Sequence, residues 1–177
     1  AEVTPHHLLF TDDVVESYNP IYKVNPPLRT AADVAAVRAG LADGTIDIVA
    51  TDHAPHPSED KDCEWSAAAF GMTGLESALS IVNDTMVKSG AMTWAQVAER
   101  MSFAPARIGK VQTQGQPLVV GSPANLLVFN PNIDLEVVPA QTASASRNTP
   151  YGGLTLPGKV VATFFAGHAT VLEGELV

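Results

Sequence analysis

The chain has 177 residues, a formal charge of −9, one cysteine and 46% hydrophobic residues. That length suits one ordinary domain, or one and a half small ones, with enough apolar residues for a sizeable core. The acidic balance argues against nucleic acid or an anionic membrane as partner, one cysteine excludes a disulfide framework, and no apolar run is long enough to span a bilayer.

A small anionic substrate stays open, because it needs only a local positive site. Cys63 lies in a polar stretch and fits a cytoplasmic setting. The first residues lack a basic region followed by an apolar one, so no signal peptide is expected there. They carry no methionine and start inside what reads as a strand, so a piece of a longer polypeptide is expected.

Glu2 to Phe10 reads as a strand running into a loop at Pro5. On a strand His6 and His7 point to opposite faces, which disfavours a shared metal ion. Thr11 to Arg29 reads as a long loop with turn chemistry at Tyr18-Asn19-Pro20 and Asn25-Pro26-Pro27. Asn25 offers both a donor and an acceptor; read as structure alone, it is a turn asparagine. Thr30 to Ala42 reads as a helix, with Thr30 as N-cap, Val34, Val37 and Leu41 as its apolar stripe, and Gly44 past its end. Ile46 to Ala50 is short, apolar and β-branched, which predicts a buried strand and completes a βαβ unit.

That strand ends in Thr51-Asp52-His53-Ala54-Pro55-His56-Pro57. The carboxyl end of a strand is where α/β folds place chemistry. Asp52 suits a metal ligand, a general base or both, and His53 and His56 suit metal or an anionic substrate. As structure alone, Asp52 is a strand-end cap and the histidines are surface groups. Pro57 to Ala67 reads as a solvated acidic rim. Phe70-Gly71 offers an exposed backbone N–H before a helix, or else a phenylalanine packed under the loop. Gly74 to Lys88 reads as an amphipathic helix with Leu75, Leu79, Val82 and Met86 inward. Trp94 to Met101, capped by Thr93, and a short helix from Ala104 follow. From Gln112 the pattern turns to short strands: Asn125–Asn130, Asp134–Val138, and a hairpin of Lys159–Ala166 with Ala169–Leu172 around Gly167-His168. The expected division is therefore 1–111 and a small β domain at 112–177.

Four strings resemble the dihydroorotases of the amidohydrolase superfamily, in that family's order. They are Thr4-Pro5-His6-His7-Leu8, Val24-Asn25-Pro26-Pro27-Leu28-Arg29, Thr51-Asp52-His53-Ala54-Pro55-His56, and Phe70-Gly71 followed by Gly74-Leu75-Glu76. Gly121-Ser122-Pro123-Ala124-Asn125-Leu126 and Arg147-Asn148-Thr149-Pro150-Tyr151 are also family-like; no site role is given to the latter. The resemblance implies the carboxyl-terminal portion of a (β/α)8 TIM-type barrel followed by a small β-sandwich. It implies interconversion of N-carbamoyl-L-aspartate and dihydroorotate in pyrimidine synthesis, with zinc, two ions in the complete enzyme. It assigns Asp52 as catalytic residue and metal ligand, and Asn25, His56, Phe70 and Gly71 as substrate-binding. The family's remaining metal ligands, a His-x-His among them, are absent from this sequence, and zinc takes about four ligands. Implied partners are the small substrate, the missing amino-terminal barrel segment, further copies of the chain, and aspartate carbamoyltransferase. The competing readings are a non-catalytic scaffold of the same fold and a hydantoinase or allantoinase.

Overall fold

The computed structural model describes residues 1–177. Two strands, β1 (Glu2–Val3) and β2 (Ile48–Val49), pair in parallel, with Val3 opposite Val49. Between them lie α1 (Pro5–Leu9) and α2 (Ala31–Asp43). The expected strand over Glu2–Phe10 thus stops at Val3. Thr4 accepts from the His7 N–H and Pro5 occupies the first helical turn, so Thr-Pro starts a helix here. His6 and His7 are therefore helix neighbours, with ring centroids 4.5 Å apart, and not residues on opposite faces of a strand.

The long segment to Arg29 holds two 3-10 turns, Asp12–Ser17 and Pro20–Tyr22. α2 follows its expected course: Thr30 and Asp33 form a reciprocal capping box, and Gly44 ends the helix at φ 94°. Val34 and Leu41 are buried along it, and Val37 packs at the margin of the core.

After β2 the chain runs through a short helix, α3 (Ser58–Lys61), into the 62–77 segment. α4 (Ala78–Val82) passes directly into a π-helical turn, Asn83–Val87. Leu75 does not face inward; it is 61% exposed. The Gly74 and Leu75 N–H groups are taken by the His53 ring, which holds this backbone outside the helix. α5 (Trp94–Ala98) and α6 (Ala104–Ile108) join through a π-helical turn, Glu99–Phe103, so the two expected helices form one irregular run. No helix is long and apolar enough to cross a membrane.

The main core gathers Val3, Leu8, Leu41, Val49, Val82, Met86, Met92 and Val97 between the parallel pair and the helices. Burying each such side chain contributes roughly 1.5–3 kcal/mol.

The last third is a four-stranded antiparallel sheet, in the order β3 (Leu126–Glu136), β4 (Thr155–Phe165), β5 (His168–Leu172) and β6 (Glu175–Leu176). The two strands expected at Asn125–Asn130 and Asp134–Val138 are one bulged strand, irregular between Asn130 and Asp134. Asn83 on the helix donates to the carbonyls of Pro131 and Pro157, tying this sheet to α4 and its π turn. Ile81, Tyr151 and Leu156 form the apolar seam beside it.

Candidate functional site

Asp52 follows β2 and sits in the left-handed region, at φ 47°. A non-glycine residue there is uncommon, though aspartate tolerates it better than most. Asp52 is exposed, and its carboxylate accepts no hydrogen bond from the chain. His53 is fixed differently. Its Nδ1 accepts from Gly74 N–H and Leu75 N–H, each at 3.2 Å, so the neutral ring carries its proton on Nε2.

His56 stands in a compact knot with Phe70, Gly71 and Asn148. Its Nε2 lies 2.9 Å from the Phe70 carbonyl, to which it donates, and its Nδ1 lies 3.9 Å from Asp60 Oδ2. The His56 backbone N–H donates to Asn148 Oδ1 at 3.1 Å. Asn148 Nδ2 donates in turn to the Ala54 carbonyl at 2.9 Å, and the Asn148 carbonyl accepts from Thr73 N–H. The side chain of Asn148 thus braces the 54–56 turn against the 71–73 segment. Asn148, in the Arg147–Tyr151 string to which the sequence assigns no site role, is part of the site's support.

Gly71 is packed edge-on against the knot. A Cβ there would lie 2.6 Å from Ala54 Cβ and 3.3 Å from His56 Nε2. The exposed Gly71 N–H expected from the sequence is not available, because it donates to the Lys23 carbonyl at 2.9 Å. Phe70 is 58% exposed, so it does not pack under the loop. Asn25 is exposed, and its amide makes no hydrogen bond within the chain. Thus His56, Phe70 and Gly71 come together, while Asn25 and Asp52 stand free.

Two lysines hold the loop from below. Lys23 Nζ donates to the carbonyls of Trp65, Ser66 and Ala68, and lies 4.5 Å from the centre of the Phe70 ring. Lys61 Nζ donates to the carbonyls of Lys23, Ala69 and Gly71. Burial lowers the Lys61 amine from 10.5 to about 8, and the Lys23 charge pushes it the same way. The folded chain therefore binds this proton less well than the unfolded chain. The resulting destabilisation is full below about pH 8 and gone above 10.5. Stability should rise relative to Lys61→Met across that window, by up to about 1.4 kcal/mol per pH unit. Denaturant unfolding of both proteins across the window measures it; a constant difference would show that Lys61 keeps an ordinary affinity for its proton.

His6 is a further buried group. Neither ring nitrogen has a partner, and burial, with His7 beside it, pushes the imidazole down to about 3, so it is neutral. His7 bonds Thr4 Oγ1 and the Pro26 carbonyl.

No three His, Cys, Asp or Glu side chains gather to hold a metal ion. The fit to zinc is partial: Asp52 offers a free carboxylate, and it belongs to no group of three such ligands within this chain.

Residues 11–170 match the model of the amidohydrolase family. The chain is 62% identical over 176 residues to a dihydroorotase of Streptomyces coelicolor, covering 99% of this chain and 41% of that protein. It is 56% identical to a dihydroorotase of Leifsonia xyli, and 49% identical to one of Mycobacterium tuberculosis. The chain thus spans about two fifths of the length of these relatives, 40% to 41%. Among solved structures it superposes on an L-hydantoinase (dihydropyrimidinase) of Arthrobacter aurescens with a TM-score of 0.91 and 33% identity, over 99% of this chain and 40% of that one. A D-hydantoinase of Thermus sp. gives a TM-score of 0.87 at 22% identity, which is a likeness of fold. With a family model running through both the site loops and the carboxyl-terminal sheet, the chain belongs to the amidohydrolase family.

Proposed function

We propose that this chain is the carboxyl-terminal part of a dihydroorotase, acting on N-carbamoyl-L-aspartate and dihydroorotate. The observation that carries the reading is Asp52: an exposed carboxylate in left-handed backbone just past the end of β2, four residues before His56 of the His56–Phe70–Gly71 knot. Its support from outside is the 62% identity to a dihydroorotase. In this reading the outer edges of the β1–β2 pair meet further barrel strands. The exposed Leu127 and Phe165, which share the face of Thr163 on β4, meet a second layer, making a β-sandwich over 112–177.

Asp52 would be one metal ligand of a set whose other members lie outside this chain. Zinc, when bound, activates water near neutral pH and polarises a carbonyl. Asp52 takes the proton of the attacking water and returns it to the departing amide nitrogen. Asn25 offers its free amide to the substrate carboxylate. His56 has its Nε2–H committed to Phe70, so Nδ1 is the nitrogen left to face substrate. Phe70 supplies an exposed ring face against the substrate ring.

In the complete enzyme, Asn25→Ala and His56→Ala should each weaken substrate binding by roughly 1.5–3 kcal/mol, the usual worth of a hydrogen bond to a charged group. Bound metal should be unaffected. Steady-state kinetics on dihydroorotate with metal analysis is the test, and normal turnover by both variants would remove them from the site. The likeness to an L-hydantoinase at 33% identity supports a second reading, a cyclic amidase for uncharged rings. A preference of the unmutated enzyme for hydantoin over dihydroorotate would decide for that reading.

A further inference from the structure

The loop that presents Phe70 and Gly71 has little apolar anchorage. Ser66, Ala67 and Phe70 are exposed, and only Ala68 among its alanines is buried. Its carbonyls turn inward instead, onto the ammonium groups of two lysines that are each 7% exposed as residues. Lys23 reaches Trp65, Ser66 and Ala68 at 2.8, 3.1 and 2.6 Å. Lys61 reaches Ala69 and Gly71 at 2.9 Å each, and the Lys23 carbonyl at 3.4 Å. Each ammonium has three donors, and each set is filled. Neither lysine takes part in an ion pair, so no carboxylate offsets their burial. Lysine is among the residues least often buried without a charged partner. Two such groups under one loop are costly, and a plain surface turn does not need them.

We propose that Lys23 and Lys61 are positioning residues of the substrate loop, holding the backbone of residues 65–71 so that Phe70 and Gly71 stay in register with His56. The assignment of Phe70 and Gly71 to substrate rests on the proposed function; the clamp itself rests on the contacts above. The link between the two is direct. Lys61 holds the Gly71 carbonyl, the Lys23 carbonyl holds the Gly71 N–H, and the Phe70 carbonyl holds the His56 ring. The main core of Val3, Leu8, Leu41, Val49, Val82, Met86, Met92 and Val97 contains neither lysine, so loss of the clamp should loosen the loop before the fold.

The test uses the complete enzyme with Lys23→Met, Lys61→Met and Lys61→Arg. Amide hydrogen exchange is read at Ala69 and Gly71, whose N–H groups are bonded to Asp60 and Lys23, and at Ile81 to Met86 as a reference. KM and kcat are measured with dihydroorotate. In the Met variants, exchange at Ala69 and Gly71 should quicken about tenfold or more with the reference unchanged. KM should rise about tenfold while kcat stays within about threefold. Lys61→Arg, which keeps charge and donors, should recover part of the KM. Should Lys61→Met fail to fold, Lys61→Gln serves with the same readouts. Unchanged exchange at Ala69 and Gly71, or an equal loss of protection at Ile81 to Met86, would overturn the clamp. An unmutated enzyme that ignores dihydroorotate would sink the functional reading instead, and the exchange data alone would then decide the clamp.

Discussion

Replacing Asp52 by asparagine in the complete enzyme should lower turnover of dihydroorotate by about a hundredfold or more, the usual scale for losing a general base. The substitution keeps the shape. Asparagine tolerates the left-handed backbone at φ 47° as well as aspartate does, so the strand end should stay where it is. Because the carboxylate is exposed and unpartnered within the chain, its loss removes no internal contact, and the melting temperature should hardly move. A capping role predicts the reverse: a loss of about 1 kcal/mol of stability with turnover intact. Turnover, bound zinc and melting temperature measured together separate the two. Full turnover with a lowered melting point would take Asp52 out of the mechanism. Failure of the unmutated, zinc-supplied enzyme to turn over would move the reading to a scaffold.

Where local chemistry dictates the structure, the sequence was readable. Thr30, Asp33 and Gly44 bracket α2 because a capping box and a left-handed terminal glycine act within a few residues of one another. β2 was legible because a short β-branched run followed by Asp-His-Ala-Pro has few other uses. The same locality is ambiguous at Thr4-Pro5, where a proline after a strand reads as a break, although Thr-Pro is equally a helix start. Asn148 could not be read, since its bonds to Ala54 and His56 join residues more than 90 positions apart, with separations of 94 and 92. Lys23 and Lys61 were invisible for a related reason. A lysine in sequence is presumed solvated, and only the fold turns three carbonyls onto each ammonium. Leu75 departs from helical spacing because its N–H is bonded to the His53 ring, which holds this backbone outside the helix.

Gly71→Ala should be the most damaging small change near the site, and two separate effects combine in it. At φ 119° the backbone lies where essentially only glycine rests comfortably, which costs an alanine about 1–3 kcal/mol. The added methyl would also stand 2.6 Å from Ala54 Cβ, an atom with no rotamer to turn away. Overpacking of that kind costs about 1–3 kcal/mol more. Relief requires the 70–72 backbone to withdraw from the 54–56 turn, which stretches the His56 bond to Phe70 and the Asn148 brace together. Lost stability and a raised KM are therefore expected in the same variant. Two controls divide the effect. Gly153, at φ 80°, has nothing within 4 Å of its would-be Cβ, so Gly153→Ala carries backbone strain without overlap. Adding Ala54→Gly to Gly71→Ala removes the methyl it strikes. Denaturant unfolding and substrate kinetics on all three should give Gly153→Ala a modest loss of stability with normal KM. The double variant should regain KM while keeping the loss due to strain. If Ala54→Gly restored nothing, the close contact between these two turns would not be what sets the position of His56.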